Sequence, residues 1–101
     1  MDTLMMDELF TEEQEEIGYE KNYAVVMYND DYTFAGFVIL VLCSVFDKTM
    51  EDAMNLMMNI QREGKGTVGV YGLEEAYKKT DAVAAMNKQA NQQLFVTVEE
   101  V

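Results

Sequence analysis

Three hydrogen-bond acceptors, Asn29, Asp30 and Asp31, stand side by side in the short stretch YNDDYT, between two apolar segments. An amide and two carboxylates crowded into one turn can end a strand and cap the helix that follows. They can also hold a cation with several N–H donors, such as a free ammonium. The spacing alone favours the turn and cap over the amine site, and it leaves both interpretations open.

Catalytic chemistry finds little support in the residue types. Histidine is absent, and the single cysteine, Cys43, lies in the middle of an apolar segment. No nucleophile elbow, phosphate-binding loop or dinucleotide fingerprint is present. Adjacent aspartates in a turn usually diverge, so Asp30 and Asp31 are poor candidates for a paired acid and base. We therefore predict a protein that is not an enzyme and that carries no metal, disulfide or cofactor.

The composition limits the class of protein and of partner. A chain of 101 residues, half of them hydrophobic, can bury one modest core. The net charge of -12 disfavours nucleic acid and anionic membranes as partners, because both require a positive surface. No apolar run reaches the roughly 18 residues of a membrane span, and the N-terminus MDTLMMDELF is acidic where a signal peptide would be basic. We expect a cytoplasmic monomer.

The charge is unevenly distributed, and this divides the chain into two parts. Residues 1–21 carry eight carboxylates against one lysine and few core-forming residues. Such a segment is predicted to be a flexible acidic arm. Residues 22–101 hold the apolar patterns and are predicted to form the folded domain.

The folded part is predicted to contain six elements in the order β-α-α-β-α-β. They are a strand at Tyr23–Tyr28, a helix at 34–46 with Thr33 as its N-cap, a helix that Thr49 opens and Gly64 closes, a strand at Lys65–Tyr71, a helix at 73–91 and a strand at 94–99. The economical arrangement is an α+β two-layer domain, with a three-stranded antiparallel sheet packed against three helices.

Apolar residues at helical spacing predict which faces of the later helices are buried. For the second helix they are Met50, Ala53, Met54, Met57 and Ile60, and for the third Ala76, Tyr77, Val83, Ala84 and Ala90. A methionine stripe of this kind is more often core than binding site. We expect Met54 in the core and Met57 facing a pocket.

Three stretches together resemble the ClpS family across residues 23–101, without gaps. They are YAVVMYNDDYTFAGFV, AMNLMMNIQREGKGTVGVY and LFVTVEE. The pattern N-D-D-x-T at 29–33 is followed at the proper distance by a methionine-rich helix that ends in Gly-Lys-Gly. The resemblance implies an adaptor that binds the exposed N-terminal residue of a substrate, usually Leu, Phe, Tyr or Trp, and delivers the substrate to ClpAP or a similar AAA+ protease.

The resemblance also implies roles for particular residues. Asn29 and Asp30, with Asp31 nearby, would hold the α-ammonium and the first peptide group, and Gln61 stands where the family usually has a histidine that helps. The pocket for the side chain would be lined by Tyr28, Thr33, Ala35, Val38, Met57, Ile60 and Leu94. Glu74 and Lys79 would dock on the N-terminal domain of a ClpA-like or ClpC-like unfoldase. The acidic arm would match the extension that the unfoldase engages during delivery.

Two departures from the family pattern lead to expectations about specificity. Ala35 stands where the family usually has a methionine that gates against β-branched residues, so Ile and Val should be accepted better here. Gln61 can accept a hydrogen bond but does not titrate, so the affinity for an amine should vary little between about pH 5.5 and 7.5.

Two other functions remain open at this point. The same two departures would suit a regulator that docks on the unfoldase without binding N-terminal residues. The strong negative charge would suit a decoy for a basic partner, although an acidic surface is commonly just a soluble one. Removal of residues 1–21 separates these functions, because a decoy would weaken greatly whereas peptide binding would persist.

Overall fold

The computed structural model describes residues 22–101, and the predicted acidic arm at 1–21 lies outside the described residues. The predicted order of elements is confirmed. The elements are β1 (Tyr23–Tyr28), α1 (Ala35–Ser44), α2 (Met50–Glu63), β2 (Lys65–Tyr71), α3 (Leu73–Ala90) and β3 (Val96–Glu100). The final strand begins two residues later than predicted, at Val96, for a reason described with the cleft below.

The three strands form one antiparallel sheet in the order β2-β1-β3. β1 is central because it is rich in β-branched and apolar residues, and Ala24 through Met27 are all buried. A bulge interrupts its pairing with β2, since Val25 is opposite Gly69 and Val26 is opposite Thr67. The extra residue, Val68, is buried in the core.

The helices complete a two-layer α+β domain. α3 contacts all three strands, α2 contacts β2, and α1 packs against α2. β2 and α2 approach closely at Gly66, because a Cβ added there would lie 3.0 Å from the Cγ1 atom of Ile60 in α2. The end of α2 therefore rests directly on the start of β2.

α2 has the end signals that its sequence predicts. The Thr49 hydroxyl accepts a hydrogen bond from the Asp52 N–H at 3.1 Å, and Glu51 and Asp52 place negative charge in the first turn. Gly64 ends the helix with a φ of 91°, a left-handed conformation that glycine adopts without a Cβ penalty.

The predicted cap of α1 is wrong. The N-cap is Phe34 rather than Thr33, and no side chain caps this helix. The Thr33 hydroxyl donates to Asp30 instead, at 2.7 Å. The Asp30 side chain therefore forms its hydrogen bonds within the turn. The helix α1 begins after the extended Phe34 and has no side-chain cap.

The core lies between the sheet and the helices, and it corrects several predicted helix faces. Ala53 and Ile60 of α2 and Ala76 and Val83 of α3 are buried as expected. Residues predicted to face inward that are exposed instead are Met50, Met54, Tyr77, Ala84 and Ala90. Met54, Tyr77 and Ala84 lie one residue off the buried stripes of α2 and α3, whereas Met50 and Ala90 are the first residue of α2 and the last residue of α3.

Candidate functional site: an apolar cleft with acceptors at its mouth

A cleft of about 340 Å³, including its open mouth, lies where β1 ends. Its walls come from the end of β1, the turn that follows, the first turn of α1, the last turns of α2 and the segment before β3. The residues that line it are Met27, Tyr28, Asn29, Asp30, Thr33, Ala35, Val38, Met57, Ile60, Gln61 and Leu94.

The structure brings most of the predicted site residues together. All seven predicted wall residues line the cleft, and Asn29, Asp30 and Gln61 line it as well. Asp31 is exposed and is not among the lining residues. Met27 lines the cleft although the sequence did not point to it. Its neighbour Tyr28 lies on the other face of β1, and both contribute because the cleft opens at the strand end.

Asp30 organises the turn at the cleft mouth. Its Oδ1 accepts the backbone N–H groups of Tyr32 at 2.7 Å and Thr33 at 2.6 Å, and its Oδ2 accepts the Thr33 hydroxyl. A carboxylate has about four acceptor directions, so these three bonds leave one for a ligand, on Oδ2. The same side chain can therefore shape the turn and bind an amine.

The electrostatic state of Asp30 suits a cation. Partial burial raises the pKa of its carboxyl, but the hydrogen bonds from the Thr33 hydroxyl, the Thr33 N–H and the Tyr32 N–H outweigh burial. The net result is a pKa below the ordinary value of 3.8. Asp30 is thus a carboxylate throughout the neutral and mildly acidic range.

Asn29 and Gln61 both lie near Gly64, the C-cap residue of α2. The Asn29 N–H donates to the Gly64 carbonyl at 2.9 Å, which fastens the acceptor turn to the end of α2. Gln61 belongs to that last turn, and both side chains are exposed at the cleft mouth. The mouth therefore carries two amides beside one carboxylate.

Tyr28 is a wall residue that is held from outside the cleft. Its hydroxyl donates to the Glu99 carboxylate at 2.9 Å, and its ring packs against Phe95 with centroids 5.2 Å apart. Hydrogen bonds from Tyr28 and Thr97, aided by the charge of Lys65, lower the pKa of the exposed Glu99 carboxyl below its ordinary value. The position of this wall is set before any ligand arrives.

Leu94 owes its place to a side chain of α3. The Asn87 amide donates to the Leu94 carbonyl at 2.9 Å and accepts the Leu94 N–H at 3.0 Å. Both polar groups of the Leu94 backbone are therefore satisfied outside the sheet, and this explains why β3 begins only at Val96. The buried Leu94 side chain is held against the cleft.

The two predicted docking residues have different surroundings. Glu74 is 89% exposed and lies 4.0 Å from Lys78. Lys79 is only 19% exposed, because its Nζ donates to the Val45 carbonyl at 2.8 Å and lies 5.5 Å from the centre of the Tyr71 ring. Five residues along a helix also turn the two side chains about 140° apart. Lys79 thus fastens α3 to the end of α1.

The described residues contain neither a metal-binding cluster nor a membrane-spanning helix. Within 22–101, no group of three or more acidic, cysteine or histidine side chains is placed to hold a metal ion. Cys43 is a free, half-buried thiol that packs against the core. Over the same range, no helix has the length and apolar character needed to cross a bilayer.

A small α+β domain with an apolar cleft and acceptors at its mouth has the form of a ligand-binding domain. The family model described as "ATP-dependent Clp protease adaptor protein ClpS" matches residues 19–97. This chain belongs to the ClpS family of adaptor proteins. The fold class, the family and the absence of an enzymatic role that the sequence predicted are thereby confirmed.

Individual relatives agree with this assignment. The ClpS adapter of Lawsonia intracellularis is 39% identical over 88 residues, which cover 87% of this chain and 81% of the relative. That of Nautilia profundicola is 42% identical over 86 residues, which cover 85% and 89%. The solved structure of Agrobacterium tumefaciens ClpS2 bound to L-phenylalaninamide is 33% identical, with a TM-score of 0.76, and the match covers 81% of this chain and 99% of that one.

Proposed function

We propose that this adaptor recognises the free N-terminal residue of its substrates, with a bulky hydrophobic side chain such as Leu, Phe, Tyr or Trp. The observation that carries the proposal is the cleft itself, which joins apolar walls to ionised and amide acceptors at one mouth. A large apolar side chain beside a free ammonium is the ligand that this combination suits.

The ligand of a solved relative supports the proposal. L-phenylalaninamide, which is bound to Agrobacterium ClpS2, carries an aromatic side chain, a free amine and an amide in place of a carboxylate. These are the features of the first residue of a polypeptide. On this proposal Asp30 pairs with the ammonium, while Asn29 and Gln61 accept hydrogen bonds from it and exchange hydrogen bonds with the first peptide group.

The pocket of this chain should tolerate more side chains than a typical member of the family. Ala35 is a small residue at the start of α1, where the side chain lines the cleft. A small residue there leaves room near the mouth for the second branch of Ile or Val. Gln61 is exposed and keeps one charge state at all working pH values, so it does not add repulsion against an amine in mild acid.

Delivery to the protease is the second half of the proposal. The partner is the N-terminal domain of a ClpA-like or ClpC-like AAA+ unfoldase, and Glu74 and Lys79 contribute to the docking surface. Glu74 can reach a partner directly, whereas Lys79 contributes chiefly by holding α3 in place. We further propose that the protein is a cytoplasmic monomer and that residues 1–21 form the flexible arm engaged during delivery.

A fluorescence anisotropy measurement tests recognition of the amine. A short labelled peptide that begins with free Phe is compared with the same peptide acetylated at its N-terminus. We expect tight binding that acetylation abolishes, because the acetylated nitrogen has neither the charge nor the donors of an ammonium. Equal binding of the two peptides, or binding of neither, would overturn the proposal. Binding of neither would favour a regulator that docks on the unfoldase without carrying substrate.

A further inference from the structure

Two phenylalanines stand exposed beside the cleft. Phe34 is 71% exposed and lies between two lining residues, Thr33 and Ala35. Phe95 is 58% exposed and directly follows the lining residue Leu94. Single exposed apolar residues are ordinary on protein surfaces, but here each of the two phenylalanines directly adjoins residues that line the same cleft.

Both phenylalanines have fixed backbones, so their exposure is not that of a loose loop. The Phe34 carbonyl accepts the N–H groups of Phe37 and Val38 as α1 begins. The Phe34 N–H donates to the Gln92 side-chain oxygen at 3.1 Å, which joins this turn to the segment that carries Phe95. The Phe95 carbonyl in turn accepts the Tyr28 N–H at 3.0 Å.

The Phe95 ring is also tied to the cleft wall. It packs against Tyr28 at an interplanar angle of 47°, the tilted arrangement that aromatic pairs favour. Glu99 holds the Tyr28 hydroxyl on the far side. A ligand that touches Phe95 therefore meets a preformed surface and loses little free energy in ordering it.

We propose that Phe34 and Phe95 form an apolar shelf for the substrate residues directly behind the first, and that the adaptor favours a large apolar side chain at position two or three. This inference rests on the proposed function, because the first residue must occupy the cleft. An extended peptide advances about 3.3 to 3.6 Å per residue, so positions two and three lie within about 7 Å of the first, at the rim. The ionised Asp30 at the cleft mouth makes an acidic residue there unfavourable.

The shelf is tested with labelled peptides that all begin with free Phe and differ only at position two or three, where they carry Ala, Leu or Asp. Fluorescence anisotropy is measured with the full chain, with the F34S/F95S double variant and with each single variant. We expect Leu to bind roughly fivefold tighter than Ala at one of the positions, as burial of about 40 Å² of apolar surface implies. Asp should bind more weakly than Ala.

The variants test whether the Leu preference depends on Phe34 and Phe95 or on exposed aromatic residues in general. In the double variant the Leu preference should fall to about equality with Ala, while the Phe-Ala peptide still binds through its first residue. Y77S is the matched control, because Tyr77 is an aromatic residue that is also exposed, at 54%, on α3 away from the cleft. It should keep the full Leu preference. Thermal melts show which variants are folded, and the single variants carry the test if the double variant is not.

Each remaining outcome has a definite meaning. Equal binding of the Ala and Leu peptides, with dependence on the free amine retained, would overturn the shelf and leave the proposed function standing. Failure of every free-amine peptide would overturn the proposed function and the shelf with it. A dimer in sedimentation that F34S/F95S converts to a monomer would assign the two phenylalanines to self-association and overturn the inference.

Discussion

Replacing Asp30 by Asn should weaken both the turn and amine binding. The Asn side-chain oxygen can still accept the N–H groups of Tyr32 and Thr33, but an NH₂ group then replaces the oxygen that accepts the Thr33 hydroxyl. Three charge-assisted bonds become two neutral ones, and the turn is partly solvated, so we expect a loss of about 1 to 2 kcal/mol of stability. The ligand also loses its nearest carboxylate, which should weaken binding at least about tenfold.

The assay pairs urea unfolding with anisotropy of a peptide that begins with free Phe. Asp31→Asn is the matched control, since the neighbouring aspartate makes the same change in charge but is exposed and does not line the cleft. It should alter the affinity by less than about threefold, as expected for a screened surface charge. Equal affinities for the Asp30→Asn and native proteins, or equal losses in the two variants, would refute the assignment of Asp30 to the amine.

The pH dependence of stability gives the same prediction a second readout. Because folding lowers the pKa of Asp30, the ionised form stabilises the fold fully above the ordinary value of 3.8. That contribution is lost as the pH falls below 3.8 through the lower value of the folded state. As the pH falls through this acidic window, the difference in unfolding free energy between the native protein and Asp30→Asn should therefore shrink. A difference that stays constant would contradict the role of the three hydrogen bonds.

Three further changes test other parts of the proposal. Ala35→Met narrows the mouth and should weaken binding of Ile- and Val-initiated peptides about tenfold while sparing Phe, and unaltered ratios would exclude Ala35 as a determinant of specificity. The native affinity should be level between about pH 5.5 and 7.5, whereas Gln61→His should lose affinity below about pH 6.5 as the imidazole becomes charged; parallel profiles would show that Gln61 does not face the amine. Lys79→Met removes the donor to the Val45 carbonyl and should cost about 1 to 2 kcal/mol in urea unfolding, against less than about 0.5 for the exposed Lys78→Met. Equal midpoints for the two lysine variants would mean that Lys79 does not hold the fold.

The sequence carries enough local information to predict the elements that have strong end signals. Thr49 and Gly64 mark α2 through a hydroxyl cap and a left-handed glycine, and both are observed. β1 is marked by its β-branched residues and by the acceptor turn that follows. These features depend on a few neighbouring residues, so no knowledge of the tertiary structure is needed to find them.

Burial on the helices is harder to predict, because it depends on which elements pack where. α1 is apolar all round, so its sequence cannot show that Leu40 is exposed while Val41 and Leu42 are fully buried. On α2, Met54 was expected in the core but is 45% exposed, whereas Met57 lines the cleft as expected.

The candidate site was largely predictable once the family resemblance was included. The polar turn and the wall residues come from well-separated segments, and composition alone gives no reason to bring them together. Residues that hold the lining residues by hydrogen bonds from outside the cleft could not be recognised in the sequence. Glu99, which holds Tyr28, and Asn87, which holds Leu94, read as ordinary surface residues until the fold is known.

The pair of hydrogen bonds between Asn87 and Leu94 has a consequence for the dynamics of the cleft. The Asn87 side-chain amide makes the hydrogen bonds to Leu94 that a neighbouring strand would otherwise make. The Leu94 N–H should therefore be as protected from hydrogen exchange as an N–H within the sheet. Exchange of the Leu94 N–H should require local opening of α3 rather than fraying of the end of β3. The Asn87→Ala change should make this one N–H exchange quickly. We therefore expect the opening of this wall of the cleft to depend on a helix that packs on all three strands and that Lys79 joins to the end of α1.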